Sequence, residues 1–178
     1  MNIVLTGFMS SGKTVCGRRL AELMGRDFFD SDVAIEAKAG MSISEIFEKF
    51  GEEYFRNLET EIIKQLSENK DSVISTGGGA VLRKENILAL SKNGIIVNLE
   101  TNREIIAERL AGGDSTRPLT KGKSISETLA RFEARRPFYD NCDIKIKLDK
   151  DKGIEDVAKE ILRILEERYD SEIWSGRK

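Results

Sequence analysis

The 178-residue chain predicts an α/β architecture, a mostly parallel sheet with helices on both faces. Three observations carry this. Strand-like apolar runs alternate with helical patterns through short connections, the signature of repeated βα units. The run Ile95-Ile96-Val97-Asn98-Leu99 is apolar almost throughout, as befits a strand buried between two helical layers. Between the first strand and the first helix stands Gly7-Phe8-Met9-Ser10-Ser11-Gly12-Lys13-Thr14, which matches G-x-x-x-x-G-K-[ST] in its required strand-loop-helix context.

The elements follow in order. Asn2-Ile3-Val4-Leu5-Thr6 reads as the first strand, and Cys16, Leu20, Ala21 and Met24 mark one side of the helix after it. Asp27-Phe28-Phe29-Asp30 is a short second strand. Residues 32–38 look helical and stop at Gly40, where a left-handed end is easily made. Ser42-Ile43-Ser44-Glu45 carries a capping box for the next helix, with Ile46, Phe47 and Phe50 as its expected apolar face. A longer helix over residues 52–67 has Leu58, Ile62 and Leu66 at intervals of four. Residues 72–76 form a strand that runs into Gly77-Gly78-Gly79. Residues 84–92 are helical and end at Gly94, residues 95–99 are the buried strand, and residues 103–110 are helical. Residues 111–124 hold Gly, Asp, Ser, Pro and Lys without periodicity and read as a mobile loop. Residues 126–136 are helical and are expected to stop at Pro137. Residues 143–148 alternate like an edge strand. The last helix, residues 154–168, should bury Ile154, Val157, Ala158, Ile161, Leu162 and Leu165, and the tail 170–178 should fray, with Ile173 and Trp174 able to dock. No repeat or linker divides the chain, so residues 1–178 are expected to form one domain.

Composition narrows the function. Net charge is −2, which argues against a general nucleic-acid binder, so a polyanionic ligand must be met by a local basic cluster. No apolar stretch reaches membrane-spanning length, and the N-terminus enters a strand directly, so no signal peptide and a cytoplasmic location are expected. Cys16 and Cys142 lack metal-ligand spacing and read as reduced, partly buried thiols. The chain has no histidine, which excludes a Ser-His-Asp triad and histidine-held metals.

The phosphate loop supplies specific chemistry. Its inward backbone N–H groups and the following helix N-terminus favour an anion. Lys13 can reach the outer phosphates, and the Thr14 hydroxyl can ligate magnesium. In such sheets, ligands bind at the carboxyl ends of the strands, so residues 7–14, 30–32 and 77–79 should converge at one rim. If the second strand continues through Asp30-Ser31-Asp32, both carboxylates fall on one side. One can hold magnesium and the other can accept a proton; a solvated Asp-Ser-Asp turn explains the same residues equally well. Arg56 and Glu59 share a helix face, where an intrahelical ion pair is the plainer reading. Arg131, Arg135 and Arg136 suit a helix C-terminus by the dipole alone. Arg117 sits in the expected mobile loop, where it is an ordinary surface arginine or a closing phosphate contact. The three successive glycines make sense where a ligand must approach the backbone closely.

Together these marks resemble shikimate kinase. They are Gly7 to Thr14, Asp30-Ser31-Asp32, Phe55-Arg56-Asn57-Leu58-Glu59, Gly77-Gly78-Gly79-Ala80-Val81, Arg117-Pro118-Leu119 and Arg135-Arg136-Pro137-Phe138-Tyr139, in the family's order. The resemblance implies a P-loop kinase fold like that of nucleoside monophosphate kinases, with a five-stranded parallel sheet of order 2-3-1-4-5. It implies ATP-dependent phosphorylation of the 3-hydroxyl of shikimate, with magnesium, in aromatic amino-acid biosynthesis. By family match, Asp32 binds the shikimate hydroxyls and is the catalytic base, with Lys13 as the second catalytic group. Arg56 and Arg135 hold the substrate carboxylate, and the Gly78 backbone contacts the substrate. Ser10, Ser11, Gly12, Lys13, Thr14 and Val15 cradle the nucleotide. Arg117 belongs to a lid over about 111–124, and the substrate-binding helices span about 32–60. Thr14 and Asp30 serve magnesium. Lys152 is the nearest match to an adenine-side contact. Ser10 stands where the family usually has glycine, and Val15 where many members carry a hydroxyl. The implied partners are shikimate and ATP, with no nucleic acid and no membrane, and a monomer is expected. The alternatives are a gluconate or other sugar-acid kinase, or a nucleotide-dependent binding module.

Overall fold

The computed structural model describes residues 1–111, 124–150 and 152–169. The sequence order places five parallel strands, β1 (Asn2–Thr6), β2 (Asp27–Asp30), β3 (Ser72–Ser75), β4 (Gly94–Glu100) and β5 (Ile144–Lys147), in one sheet of order 2-3-1-4-5. The expected sheet order is therefore observed. β1 lies at the centre, fully buried, between β3 and β4. β5 is an edge strand whose residues alternate buried and exposed, as its sequence predicted.

The alternation of side chains along each strand builds two cores. On one face, Ile3, Leu5 and Val97 pack with Leu20 of α1 (Lys13–Met24) and Ile161 of α7 (Ile154–Arg168). On the other, Val4, Ile74 and Ile96 pack with Ile63 of α3 (Ile43–Ser67) and Leu90 of α4 (Lys84–Lys92). α2 (Ser31–Ala39) covers α3 through Ile35, Ile46, Phe55 and Ile62. Beyond the carboxyl ends of the strands, Phe8, Met9, Ile106 of α5 (Arg103–Ala111), Leu129 and Phe132 of α6 (Ile125–Arg135), and Tyr139 form a further cluster beneath the phosphate loop.

Several local expectations change. Gly51 adopts φ 79°, ψ 176° inside α3 and breaks it into the two helices the sequence suggested. Phe50, just before the break, is 50 % exposed and stacks on Tyr54 instead of facing the core. Pro137 does not simply stop α6. It opens a 3-10 turn over Arg136–Asp140, where its missing N–H costs nothing in the first turn. Gly94 starts β4, and Asn93 ends α4. Among the described residues, no helix is long and apolar enough to cross a membrane.

Candidate functional site

The phosphate loop leaves β1 and turns into α1 through Gly12, whose φ of 86° favours a residue without Cβ. Lys13 folds back over the loop. Its Nζ donates to the carbonyls of Gly7 at 2.9 Å and Phe8 at 2.8 Å, and to Ser11 Oγ at 3.3 Å. Ser10 also takes a positive φ, 59°, where a side chain is uncommon. Its carbonyl accepts a hydrogen bond from the Arg109 guanidinium, so α5 clamps the loop at its strained residue. Nothing in the sequence marked Arg109, an ordinary basic residue near a helix end.

On one side of the loop lies a cleft of about 350 Å³ that contains Lys13, Thr14, Asp30, Asp32, Arg56 and Arg135. β2 ends at Asp30 and does not continue to Asp32, contrary to the alternation argument. Instead, Asp30 is the N-cap of α2. Its Oδ1 accepts the Asp32 N–H at 2.9 Å, and this cap turns Asp32 into the same cleft. The other oxygen, Oδ2, accepts the Thr14 hydroxyl at 2.8 Å.

That pair fits magnesium. Neighbouring ligands on an octahedron with metal–oxygen distances of 2.0–2.1 Å stand about 2.9 Å apart. Among the described residues, no group of three or more His, Cys, Asp or Glu could hold a metal. An ion here would take its remaining ligands from phosphate and water, as magnesium usually does.

The opposite wall is charged and buried. Arg56 Nη1 donates to Glu59 Oε2 at 2.7 Å, and Nη2 donates to Glu52 Oε1 at 3.3 Å. Glu59 is 0 % exposed, and its second oxygen has no hydrogen-bond partner. Burial pushes the Glu59 carboxyl above the usual range, against the pull of Arg56. Burial acts to lower the Arg56 pKa, but Glu59 and Glu52 outweigh it and leave it raised. Arg135 differs. Burial lowers its pKa, and nearby Arg56 and Arg131 add to that, with the Tyr139 phenol acting the other way. Two carboxylates thus pair with Arg56, and Arg135 stands beside them as a second cation on the cleft, placed to meet an anionic group of a substrate.

The glycine run makes room for these side chains. A Cβ on Gly77 would stand 2.6 Å from Asp32 Oδ1 and 3.0 Å from Glu59 Oε1. A Cβ on Gly79 would stand 2.4 Å from Arg56 Nη1. Thus the close approach expected of a ligand is already made by the protein's own carboxylates and guanidinium. Gly77 N–H donates to Ser31 Oγ at 2.8 Å, and the Gly78 carbonyl accepts the Tyr139 hydroxyl at 2.5 Å.

On the other side of the loop is a cleft of about 500 Å³. Ser10, Ser11, Gly12 and Val15 form one wall, and Arg109 and Lys152 are also among its lining residues. Val15 is 53 % exposed, and Ile154, expected in the core, is 44 % exposed at the cleft margin. Lys152 lines this cleft, but its Nζ is engaged by Glu160 Oε2 at 2.5 Å. Gly12 and Val15 line both clefts, so the two meet at the start of α1. Cys16 forms part of the floor, and burial pushes its thiol up to about 12, so it is no nucleophile. Arg117, the expected lid 111–124 from residue 112 to residue 123, and the tail 170–178 lie outside the described residues.

The model of the family described as Shikimate kinase matches residues 9–166. The curated shikimate kinase of Caldanaerobacter subterraneus subsp. tengcongensis is 46 % identical over 163 residues, covering 91 % of this chain and 94 % of its own. That of Geobacter sulfurreducens is 44 % identical over 167 residues, covering 93 % and 91 %. Among solved structures, the shikimate kinase from Acinetobacter baumannii in complex with shikimate superposes with a TM-score of 0.87 at 39 % identity, covering 94 % of each chain.

Proposed function

This chain belongs to the shikimate kinase family, and on that premise we propose how its two clefts divide the phosphorylation of shikimate by ATP. The reaction moves the γ-phosphoryl group of ATP to the 3-hydroxyl of shikimate, giving shikimate 3-phosphate and ADP. ATP acts with Mg2+. The cleft that holds Arg109 and Lys152 takes the nucleoside, and the cleft with Asp32, Arg56 and Arg135 takes shikimate. The observation that carries this is their meeting at Gly12 and Val15, beside Lys13, where a phosphoryl group can pass from one to the other.

We propose the following residue roles, supported for the described residues by their place on the two clefts and for Arg117 by the family resemblance alone. Arg135 and Arg56 bind the substrate carboxylate, Arg135 as the more available cation and Arg56 from within its Glu59 and Glu52 pairs. Asp32 orients the attacking hydroxyl and takes its proton as the new oxygen–phosphorus bond forms and the bond to the β-phosphate bridging oxygen breaks. Lys13 follows the γ-phosphoryl and offsets its charge. Ser10, Ser11, Gly12 and Val15 contribute backbone N–H groups, and Gly78 offers its backbone to the substrate. Thr14 and Asp30 are the residues that would hold Mg2+, which when bound neutralises phosphate charge. Arg117 is proposed to close over the phosphates within the lid.

A coupled assay of ADP release tests the reading. Shikimate-dependent release is expected. Release with gluconate in place of shikimate, or release that ignores both, would replace this reading with one of the two alternatives.

A further inference from the structure

Tyr139 is buried and joins three parts of the site. Its ring packs with Phe8 and Met9 of the phosphate loop and with Phe132 of α6. Its hydroxyl donates to the Gly78 carbonyl at 2.5 Å. Arg135, four residues before it in the chain, is near enough for its charge to act on the phenol. Arg135 ends α6, and Tyr139 lies in the 3-10 turn that follows, so their mutual placement is set within one short segment.

A trans peptide unit is planar, so its C=O and N–H point in opposite directions. A hydroxyl that fixes the Gly78 carbonyl also fixes the Gly79 N–H, directed away from Tyr139. No cis peptide occurs among the described residues. The glycine run has no side chains of its own to hold it, and its conformational freedom is the widest of any residue type. Gly78 and Gly79 both line the acceptor cleft with Arg135. One phenolic oxygen therefore holds the Gly78 carbonyl from the same short segment that carries Arg135.

We propose that Tyr139 is a positioning residue that locks the Gly78-Gly79 peptide and Arg135 into one acceptor-binding unit. It touches no substrate. Burial raises its phenol well above the ordinary range, so it stays neutral and can donate to Gly78 across the working pH range. The inference rests on the proposed assignment of this cleft to shikimate.

The test is Tyr139→Phe, which removes one oxygen and keeps the ring in its cluster. The KM for shikimate should rise about tenfold, the loss expected for one hydrogen bond of about 1.4 kcal/mol. The KM for ATP and the shape of the kcat–pH profile should stay as in the wild type, and Tm should move by a few degrees at most. An unchanged shikimate KM overturns the proposal. So does a parallel rise in both KM values with a large fall in Tm, which marks a purely structural tyrosine. In an Arg135→Met background the effect of Tyr139→Phe should largely vanish, and full additivity would overturn the coupling.

A second measurement needs no variant at position 139. The chain contains three tyrosines, Tyr54, Tyr139 and Tyr169. With 3-fluorotyrosine incorporated, and Tyr54→Phe and Tyr169→Phe used for assignment, the Tyr139 fluorine signal should shift on saturation with shikimate. ADP alone should shift it much less. No shift with shikimate would overturn the proposal. Failure of the functional reading is separate, because the wild type would then show no shikimate-dependent turnover at all.

Discussion

On the acceptor side of the phosphate loop, charges are buried and tied together. Arg56 is held by Glu59 and Glu52, Asp32 is set by the Asp30 cap, and the backbone at Gly77 and Gly79 is packed against their side chains. On the nucleotide side, the lining is more open and mixes apolar side chains with Ser10, Ser11, Arg109, Asp149 and Lys152. Val15 and Ile154 are about half exposed, and Lys152 is engaged by Glu160. The contrast teaches where specificity is built. A small hydroxy acid must be recognised by groups already in place, because it offers little surface to reorganise a protein around. A triphosphate can be held chiefly by backbone N–H groups and charge, which a loop at a helix N-terminus supplies without side-chain networks.

The hardest test of this division is Asp32→Asn. If Asp32 acts only on the acceptor side, kcat should fall by about 10²–10⁴, the usual weight of a general base. ADP affinity by calorimetry should be unchanged. A loss of ADP affinity with retained kcat would move Asp32 to the nucleotide side and break the comparison. Lys13→Ala should behave differently, with kcat down on the order of 10²–10³ and nucleotide binding weakened as well, since Lys13 serves the phosphates between both clefts.

The two arginines sharpen the same contrast from within the acceptor cleft. Removing either should weaken shikimate binding by about 2–5 kcal/mol. Their effects on folding should separate. Arg56→Met leaves Glu59 buried without its cation and should cost about 3–5 kcal/mol of stability. Arg135→Met removes a cation whose burial already disfavours it, and should leave Tm nearly unchanged. The pH dependence follows. Burial raises the Glu59 pKa in the folded state, and loss of Arg56 raises it further. A carboxyl whose folded pKa exceeds its unfolded value takes up a proton more readily when folded. Its contribution to stability is therefore full below the unfolded pKa and is lost as pH rises through the folded one. The penalty of Arg56→Met should accordingly be smaller at pH 5 than at pH 8 in denaturant titrations. An equal penalty at both would show that Glu59 is not the group left stranded.

How far the sequence could be read depended on the range of the interactions involved. α7 was legible to its ends, because a helix with apolar residues at 157, 158, 161 and 165 signals its own buried stripe. β5 was legible as an edge because alternation is a local property of the strand. The converging of the phosphate loop, Asp30-Asp32 and the glycine run followed from the rule that parallel strands deliver their ends to one rim. What escaped was whatever a distant partner decides. Ile154 looks like core on a helical projection, but among the described residues it is left 44 % exposed at the cleft margin. Phe50 points outward because the break at Gly51 rotates one half of α3 against the other. Arg109 is indistinguishable from a solvated arginine until α5 is seen to set it against Ser10. The two carboxylates of Asp30-Ser31-Asp32 reach one cleft by a cap and not by strand alternation, so the placement was foreseen for a reason that does not operate.

The smallest expected effect lies on the nucleotide side and is a gain. Val15 follows Thr14 in the first turn of α1, is 53 % exposed, and lines both clefts. An exposed apolar branch there offers a phosphate nothing beyond its backbone N–H. Threonine has nearly the same shape and adds a hydroxyl that can donate. Val15→Thr should therefore tighten ADP binding by about 0.5–1.5 kcal/mol, the net value of one hydrogen bond. Because the added hydroxyl serves the phosphates and nearly preserves the shape that borders the acceptor cleft, the KM for shikimate should be unaffected, and Tm without ligand should stay within a degree or two. Calorimetry with ADP and steady-state kinetics with both substrates measure all three. If ADP affinity does not change, the phosphates are already saturated by the loop's N–H groups. If shikimate KM changes instead, the boundary drawn between the clefts at Val15 is misplaced, and the start of α1 serves the acceptor as much as the donor.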